Sequence, residues 1–308
     1  MISACRRSGC IALLILLGGC SNGGGGTSAP AAGGSGGTPE LDSGDEEASV
    51  EQDAADESDG DEAGDVEAGP CVQGDAGIPS PPTVEVPAGE FTMGCNDPID
   101  TSCEVSESPL HKVTLSGFLV DKHEVTMAEY KACIDSCVCS EPAQAFDPKG
   151  SPSHPVVGVT LDQAGTYCTW IGRRLPTEAE WEKAARGTDG RIYPWGNTAP
   201  ACDQAAFLGC AYGGKTGVTF PVGTFSPKGD SPYGAQDMAG NVWEWVTDWY
   251  GPYDGDASVD PEGPSKGTSR LWRGGGYLHD ATWLRTSARF PNNAASYHAL
   301  GFRCVKSL

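Results

Sequence analysis

The pattern of hydrophobic and polar residues predicts strands in the first part of a folded region and short helices in its middle. Alternation over Val84–Met93 and Val113–Val120 is typical of strands. Three later segments each begin with a capping box, in which a Thr is followed three residues on by Glu or Gln. The predicted helices are Met127–Ile134 after Thr126, Leu161–Ile171 after Thr160, and Glu178–Ala185 after Thr177.

After residue 190 the chain is rich in Gly and Pro and contains isolated aromatic residues. Only short strands are expected there, near Leu271–Tyr277, Leu284–Phe290 and Leu300–Val305. The predicted fold class is α+β with much irregular backbone, and such a domain often needs metal ions or disulfides to hold its loops. We place this domain at residues 83–308.

The N-terminus carries the pattern of an exported lipoprotein. Two arginines precede an apolar run, Ile11–Leu17, that is too short to cross a bilayer, since crossing takes about 20 helical residues. The run leads into Gly-Gly-Cys20, which looks like a lipobox, and we predict a signal peptide over residues 1–19 and lipidation of Cys20. An ordinary secretory signal that happens to contain Cys20 is the alternative. Ser21 follows, rather than the Asp that retains some lipoproteins at the inner membrane, so we expect anchoring in the cell envelope at the outer membrane.

Residues 20–82 are expected to form a disordered linker. The stretch Glu40–Glu67 carries fourteen Asp and Glu and no Lys or Arg. Such a segment has almost nothing apolar to bury and its charges repel one another, so it stays extended and solvated. It supplies most of the formal net charge of −22. We interpret it as a spacer between membrane and domain, with a cation-buffering tail as the alternative. A chain this acidic, without a basic stripe, is not expected to bind nucleic acid.

Cysteine usage indicates disulfides. Of thirteen cysteines, two leave with the signal and one is the lipidation site, so ten remain in the exported protein. An even count in an exported chain favours disulfides, although spacing alone does not fix their connectivity. Plausible loop disulfides are Cys95–Cys103 and Cys202–Cys210, and the cluster Cys133, Cys137 and Cys139 is interpreted as oxidised, with a metal site as the alternative.

Seven short blocks between residue 84 and the C-terminus follow the order of a known domain family. They are Val86–Gly94 (VPAGEFTMG), Glu124–Thr126 (EVT), Gly172–Glu182 (GRRLPTEAEWE), Tyr193–Asn197 (YPWGN), Asp237–Trp245 (DMAGNVWEW), Trp272–Tyr277 (WRGGGY) and Gly301–Cys304 (GFRC). Together they resemble the sulfatase-modifying-factor (formylglycine-generating enzyme) domain. The resemblance implies a C-type-lectin-like fold with low regular secondary structure, and a family disulfide between Cys168 and Cys304.

The resemblance also implies a calcium site in the Asp237–Glu244 block. In the family, one calcium takes a side chain at the position of Asp237, backbone carbonyls at those of Gly240 and Val242, and the carboxylate at that of Glu244. All four positions keep an oxygen donor, as Ca²⁺ requires. A hydrogen-bonded turn in which Glu244 caps backbone amides is the alternative.

A second family calcium site is expected to be lost. Asp203 could serve as its first ligand, but Lys215 lies in the downstream stretch where an acid is expected.

The resemblance breaks down at the copper site of the family's enzymes. Formylglycine-generating members bind Cu(I) between two cysteines that closely follow the Gly-Gly-(Ser/Gly)-aromatic strand. Here the corresponding stretch is Tyr277–Arg285, and no cysteine occurs between Trp272 and Phe290. Because soft Cu(I) is held by thiolates, copper is not expected. His279 falls near the first missing cysteine, and a single imidazole is not a metal site.

The expected function is therefore non-catalytic: a lipid-anchored, calcium-stabilised module that binds an envelope protein or a glycan. One alternative is an oxidase that converts a sulfatase cysteine to formylglycine, and another is an unidentified metal-dependent activity that uses His279 and Asp280. Trp249 or Trp272 could stack on a sugar, although large aromatic residues are more often core. The arginines and glutamates of the Gly172–Glu182 block are expected to form buried structural ion pairs.

Overall fold

The computed structural model describes residues 77–308. The predicted signal peptide, the lipidation of Cys20 and most of the predicted linker lie outside the described residues. Within residues 77–308 the helices are α1 (Met127–Asp135), α2 (Leu161–Trp170) and α3 (Glu178–Arg186), with short 3-10 helices at Val105–Glu107 and Ala281–Leu284. The strands are β1 (Thr83–Val86), β2 (Gly89–Met93), β3 (His111–Leu115), β4 (Phe118–Asp121), β5 (Trp243–Trp249), β6 (Ser258–Val259), β7 (Arg270–Arg273), β8 (Phe290–Asn292), β9 (Leu300–Gly301) and β10 (Val305–Ser307).

The three helices begin where the capping boxes predict. In α3, Thr177 Oγ1 accepts a hydrogen bond from Glu180 N at 3.2 Å, and Thr177 N donates to Glu180 Oε2 at 2.9 Å. The same reciprocal pair opens α1 and α2. Each box satisfies two backbone groups that a helix start leaves unpaired, so the local sequence alone determines these boundaries.

The strands form three small sheets, in the orders β1-β4-β10, β2-β3-β6 and β8-β7-β5-β9. Two predicted strands are each split: the first is interrupted at Pro87 and Ala88, and the second at Ser116 and Gly117. The C-terminal strand β10 pairs antiparallel with β4, so the end of the chain lies beside its first strands. The mixed helix-and-strand content confirms the α+β prediction.

The predictions after residue 190 need correction. The predicted strand Leu271–Tyr277 ends at Arg273, because Gly274 and Gly275 adopt φ of 93° and 75°. Most of Leu284–Phe290 is not a strand, since a 3-10 helix ends at Leu284 and β8 begins only at Phe290. The predicted strand Leu300–Val305 is two separate short strands.

Strand β5 was not predicted, yet it organises the core. It pairs antiparallel with β7 and parallel with β9. Trp243 and Trp245 pack with α1 and α2, whereas Val246 packs with α3 and the first two sheets. Successive side chains of a strand point to opposite faces, so β5 separates two apolar clusters and is buried on both sides. Along β5, Trp243 and Trp245 alternate with Glu244, and Asp248 lies on the same face as Glu244, yet both acids are buried. Polar residues normally indicate a solvent-facing side, so the pattern does not show that both faces of this strand are covered.

The nine cysteines of the described region are all disulfide-bonded. Cys168 in α2 is joined to Cys304, next to β10, as the family resemblance implies. The remaining pairs with described geometry are Cys95–Cys103, Cys133–Cys139 and Cys202–Cys210. The cluster at residues 133–139 is therefore oxidised, as interpreted from sequence.

Between Gly77 and the C-terminus, no helix has both the length and the apolarity needed to cross a membrane.

Candidate functional site

The four residues of the predicted calcium site lie at the N-terminal end of β5 and in the turn before it. Glu244 belongs to β5 and is completely buried, and Asp237 is 6% exposed. The turn needs unusual backbone, since Asp237 and Gly240 adopt φ of 55° and 81°. A Cβ at Gly240 would lie 2.3 Å from the carbonyl oxygen of Ala206, so only glycine fits there.

Glu244 accepts hydrogen bonds on both carboxylate oxygens. Arg303 donates from Nη2 to Oε1 at 2.6 Å and from Nε to Oε2 at 2.7 Å. Trp181 donates from Nε1 to Oε2 at 2.8 Å. Three of about four lone-pair sites are thereby occupied, and the capacity that remains is on Oε1.

Asp237 and a third buried acid, Glu124, lie near Glu244. Asp237 Oδ2 accepts from Gly223 N at 2.6 Å. Glu124 is completely buried beside them and accepts from Asn241 Nδ2 at 2.7 Å and from Val242 N at 3.2 Å. Glu124 belongs to one of the seven family blocks, but the sequence did not predict it at this site. Only the tertiary structure brings a residue more than a hundred positions upstream to the same turn.

Three buried carboxylates therefore share one guanidinium. Burial raises the pKa of Asp237 to about 6. Burial, together with repulsion from Asp237 and Glu244, raises the pKa of Glu124 well above its usual value. With all three acids ionised and Arg303 charged, the site carries a net charge of −2. Hard oxygen donors with a net negative charge have the chemistry that Ca²⁺ prefers, and the residues that would hold an ion are Asp237 and Glu244 with the carbonyls of Gly240 and Val242. Glu124, Asp237 and Glu244 do not come close enough together for all three to share one ion.

Asp203, the possible first ligand of the second family site, lies in an ion pair. Asp203 forms a salt bridge with Lys228 in which both side chains are largely exposed. The loss of the second family site stays a prediction.

The loop that corresponds to the family's copper site is covered by aromatic side chains. His279, Trp283, Phe290 and Tyr297 are all half-buried, and we call them the aromatic surface. The ring of His279 lies 6.4 Å from that of Phe290 and 6.2 Å from that of Tyr297, and the Trp283 and Phe290 rings are 5.2 Å apart. The surface rests on Trp243 of β5, which is completely buried.

His279 is held as a neutral imidazole. Trp243 Nε1 donates to His279 Nδ1 at 3.0 Å, so Nδ1 carries no proton. Burial, with a smaller contribution from His298, lowers the pKa of His279, although Asp280 opposes this shift. Asp280 instead caps the following 3-10 helix, where its Oδ1 accepts from Thr282 N at 2.9 Å. The structure therefore engages His279 and Asp280 in separate contacts.

A separate cluster of side chains has the ligand types that metal ions prefer, but it cannot bind a metal ion. Within residues 77–308, the group of three or more such side chains close enough to share an ion is Cys95, Asp100 and Cys103. Its two sulfur atoms are joined in a disulfide, which removes both thiolates.

The two tryptophans considered for sugar stacking are not free to stack. Trp272 is 2% exposed and packs among other aromatic rings. The Arg270 guanidinium lies 3.5 Å from the ring centre of Trp249 and covers one face. A Cβ at Gly267 would lie 3.2 Å from the same indole, which shows that this backbone also packs closely on it.

The ion pairs expected around α3 are present. Arg174 pairs with Glu180 at 2.6 Å. Arg273 bridges Glu178 at 2.9 Å and Glu182 at 2.6 Å, and all three are buried. These side chains pair with one another, in agreement with a structural role.

The sulfatase-modifying factor enzyme 1-like domain matches residues 71–308. The chain belongs to this family. Formylglycine-generating enzyme of Bos taurus is 32% identical over 289 residues, covering 74% of this chain and 76% of that protein. Inactive C-alpha-formylglycine-generating enzyme 2 of Mus musculus is 30% identical over 277 residues, covering 74% of this chain and 86% of that protein.

Solved structures place this sulfatase-modifying-factor domain among C-type-lectin-like folds. The structure of PvdO from Pseudomonas aeruginosa is 27% identical, covers 74% of this chain and 95% of that chain, and superposes with a TM-score of 0.61. The predicted fold is confirmed. The stretch Tyr277–Arg285, where the resemblance places the copper-binding cysteines, contains no cysteine in this sulfatase-modifying-factor chain and carries His279 and Trp283 of the aromatic surface.

Proposed function

We propose that this protein is a non-catalytic member of the sulfatase-modifying-factor family, anchored in the cell envelope through Cys20, that binds a partner protein at its aromatic surface. The observation that carries the proposal is the state of its cysteines. All nine in residues 77–308 are in disulfides, and none lies in the loop Tyr277–Arg285. The described domain thus offers no thiolate pair to Cu(I).

The aromatic surface supports binding rather than chemistry. Trp, Tyr and Phe are enriched at the cores of protein interfaces, where large rigid rings bury area at low entropic cost. Here Trp283, Phe290 and Tyr297, with the imidazole of His279, are partly exposed, and the imidazole packs against the buried Trp243. Thr282 donates only to Oδ1 of the exposed Asp280, so this carboxylate could still accept from a sugar hydroxyl, and a glycan is the alternative to a protein partner.

Calcium in this proposal is structural. The Asp237 and Glu244 side chains, with the carbonyls of Gly240 and Val242, would hold the ion that neutralises the buried acids. That would stabilise the turn before β5 and so the strand on which the aromatic surface rests. The mouse relative, whose name describes it as inactive, supports a non-catalytic role.

An assay for formylglycine tests the negative half of the proposal. The purified protein, supplied with Cu(I), Ca²⁺ and oxygen, is incubated with a cysteine-containing sulfatase peptide, and formylglycine is measured by mass spectrometry. We expect no conversion, while the bovine relative converts the same peptide in parallel. Copper-dependent conversion would overturn the proposal and favour the formylglycine-generating oxidase.

Site-specific photocrosslinking in intact cells tests the positive half. A benzophenone amino acid is placed at Trp283, and at Val259 as a control, because Val259 is 73% exposed and lies in β6, outside the aromatic surface. We expect a discrete protein adduct at position 283 that position 259 does not give. Equal labelling at both positions, or adducts to glycan alone, would refute a protein partner at this surface.

A further inference from the structure

A cavity of about 420 Å³ lies between the start of α3, the end of β5 and the loop 251–264. Its volume is within the range of small-ligand pockets. Met93, Ala179, Pro252 and Tyr253 form much of its apolar wall. The charged or titratable groups that line it are Glu178, Asp248, Asp254, Glu262, Arg289, His111 and Tyr253.

Two of these charged groups already satisfy each other. Arg289 donates from Nε to Glu178 Oε1 at 2.7 Å and from Nη2 to Glu178 Oε2 at 2.9 Å. Its Nη1 donates to the carbonyls of Ser106 and Gly251, and its guanidinium lies 3.9 Å from the centre of the Tyr253 ring. Glu178 also accepts from Arg273 at 2.9 Å. The hydrogen-bonding groups of Glu178 and Arg289 are thus mostly satisfied within the protein, and few of them remain for a ligand.

Asp248 differs from them. It is 4% exposed, and no ion pair in the described part of the chain includes it. Its Oδ2 accepts from Glu178 N at 2.8 Å and so caps α3, whereas no hydrogen bond to Oδ1 is present. Oδ1 lies against Gly263, where a Cβ would be only 2.6 Å away, and Gly263 also lines the cavity. Oδ1 is not one of the fully buried atoms that lack a partner, so it remains accessible, and a ligand in the adjoining cavity could donate to it.

We propose that this cavity binds a small aliphatic primary amine, whose ammonium group donates to Asp248 Oδ1 while its alkyl chain lies against the wall near Pro252 and Tyr253. A guanidinium fits less well, because its bidentate contact requires two carboxylate oxygens and Oδ2 is engaged. A calcium ion fits less well still, since it needs six to eight oxygen ligands. The acids at the rim, Asp254 and Glu262, favour entry of a cation.

The ionisation of Asp248 is consistent with such a ligand. Burial, with repulsion from Glu178, raises the pKa of Asp248 to about 7. A bound ammonium favours the carboxylate form, so its affinity falls as pH drops below about 7. The other groups that face the cavity are Glu178, Arg289, His111, Tyr253, Asp254 and Glu262.

NMR titration of the purified protein with butylammonium tests the proposal, with 1-butanol and butylguanidinium as matched probes. We expect saturable shifts confined to the cavity, and affinity at least about tenfold weaker for both control probes, since a hydrogen bond to a charged group contributes about 1.5–3 kcal/mol. Equal affinity for butanol, or no saturable shift, would overturn the site. Nα-acetyl-lysine methylamide tests whether the ligand could be the lysine side chain of a protein. If it binds as well as butylammonium, the cavity mouth admits a peptide backbone; if it binds more weakly, the ligand is a free amine.

Two variants separate the carboxylate from general effects. Asp248→Asn keeps an oxygen to accept from Glu178 N, so α3 remains capped, and we expect at least about tenfold weaker butylammonium binding. Asp256→Asn, in the same loop but outside the cavity, should bind as the wild type does. If Asp248→Asn does not fold, the pH series on the wild type decides, because unchanged affinity between pH 6 and pH 8 contradicts a role for this carboxylate. These binding measurements do not depend on whether a partner protein binds at the aromatic surface.

Discussion

Substituting Asp237 by Asn should change stability in opposite directions with and without calcium. In the calcium-free protein, burial raises the pKa of Asp237 to about 6 from an ordinary value of 3.8. The unfolded chain therefore loses this proton near pH 4, whereas the folded protein keeps it until about pH 6. Between these values the folded state binds more protons, so the free energy of unfolding falls as pH rises.

The magnitude follows from the shift of roughly two units, at 1.36 kcal/mol per unit. Above pH 6, the buried Asp237 costs the calcium-free protein about 3 kcal/mol relative to its cost at pH 3. An Asn pays no ionisation cost, and its amide oxygen can still accept from Gly223 N. In chelator at pH 8 the variant Asp237→Asn should therefore be more stable than the wild type, by up to about 3 kcal/mol.

Calcium should reverse much of this advantage. An ion bound only to the folded protein stabilises it by about 2.7 kcal/mol at a hundredfold excess over Kd. The wild type offers a carboxylate at position 237 where the variant offers a neutral amide, so calcium should stabilise the wild type more.

Urea denaturation followed by tryptophan fluorescence provides the assay, at pH 3 to 8, with chelator or with calcium. Asp203→Asn serves as control, since Asp203 is exposed and paired with Lys228. Two results would refute the reasoning. A wild type more stable than Asp237→Asn in chelator at pH 8 would show that burial does not penalise this carboxylate. Equal calcium stabilisation of both would remove Asp237 from the ion site.

Three further predictions concern the ion pairs, the disulfides and the anchor. Arg285→Met should lower the free energy of unfolding by about 3–5 kcal/mol, because it leaves the buried acids that pair with Arg285 uncompensated. Lys112→Met, which breaks an exposed ion pair, should lower it by less than about 1 kcal/mol. Denaturant titration measures both. Replacing Cys168 and Cys304 together by Ala should cost about 5 kcal/mol, since the disulfide closes a separation of 136 residues; calorimetry measures the loss. Cys20→Ala should abolish incorporation of a fatty-acid analogue that labels the wild type in cells.

Each has a contrary outcome. Similar losses for Arg285→Met and Lys112→Met would mean that burial does not govern these pairs. The double alanine variant of Cys202 and Cys210, separated by 8 residues, should lose only about 2.5 kcal/mol on the same chain-entropy estimate. If the short-loop pair costs as much as the long-loop pair, loop length is not the cause. Equal lipid labelling of Cys20→Ala and the wild type would remove the anchor.

The sequence by itself determined the helices, because their signals are local. A Thr and a Glu or Gln three residues apart complete one capping box, and the resulting starts at Met127, Leu161 and Glu178 are those of the structure. It also determined the family and the absence of thiols near His279, since the order of motif blocks and the presence of a cysteine are properties of the chain alone.

Only the tertiary structure decided β5, the third acid and the amine cavity. Glu244 and Asp248 lie on a face of β5 that is buried, although acidic residues in a strand normally indicate a solvent-facing side, so only the tertiary contacts show that both faces are covered. Glu124 joins the acidic site through contacts with Asn241 and Val242 across more than a hundred residues. Asp248 lies in the same motif-rich strand as Glu244, yet Glu244 is compensated by Arg303 whereas Oδ1 of Asp248 faces Gly263 without a donor. The cost of a buried charge depends on what surrounds it in space, and the linear spacing of residues does not contain that information.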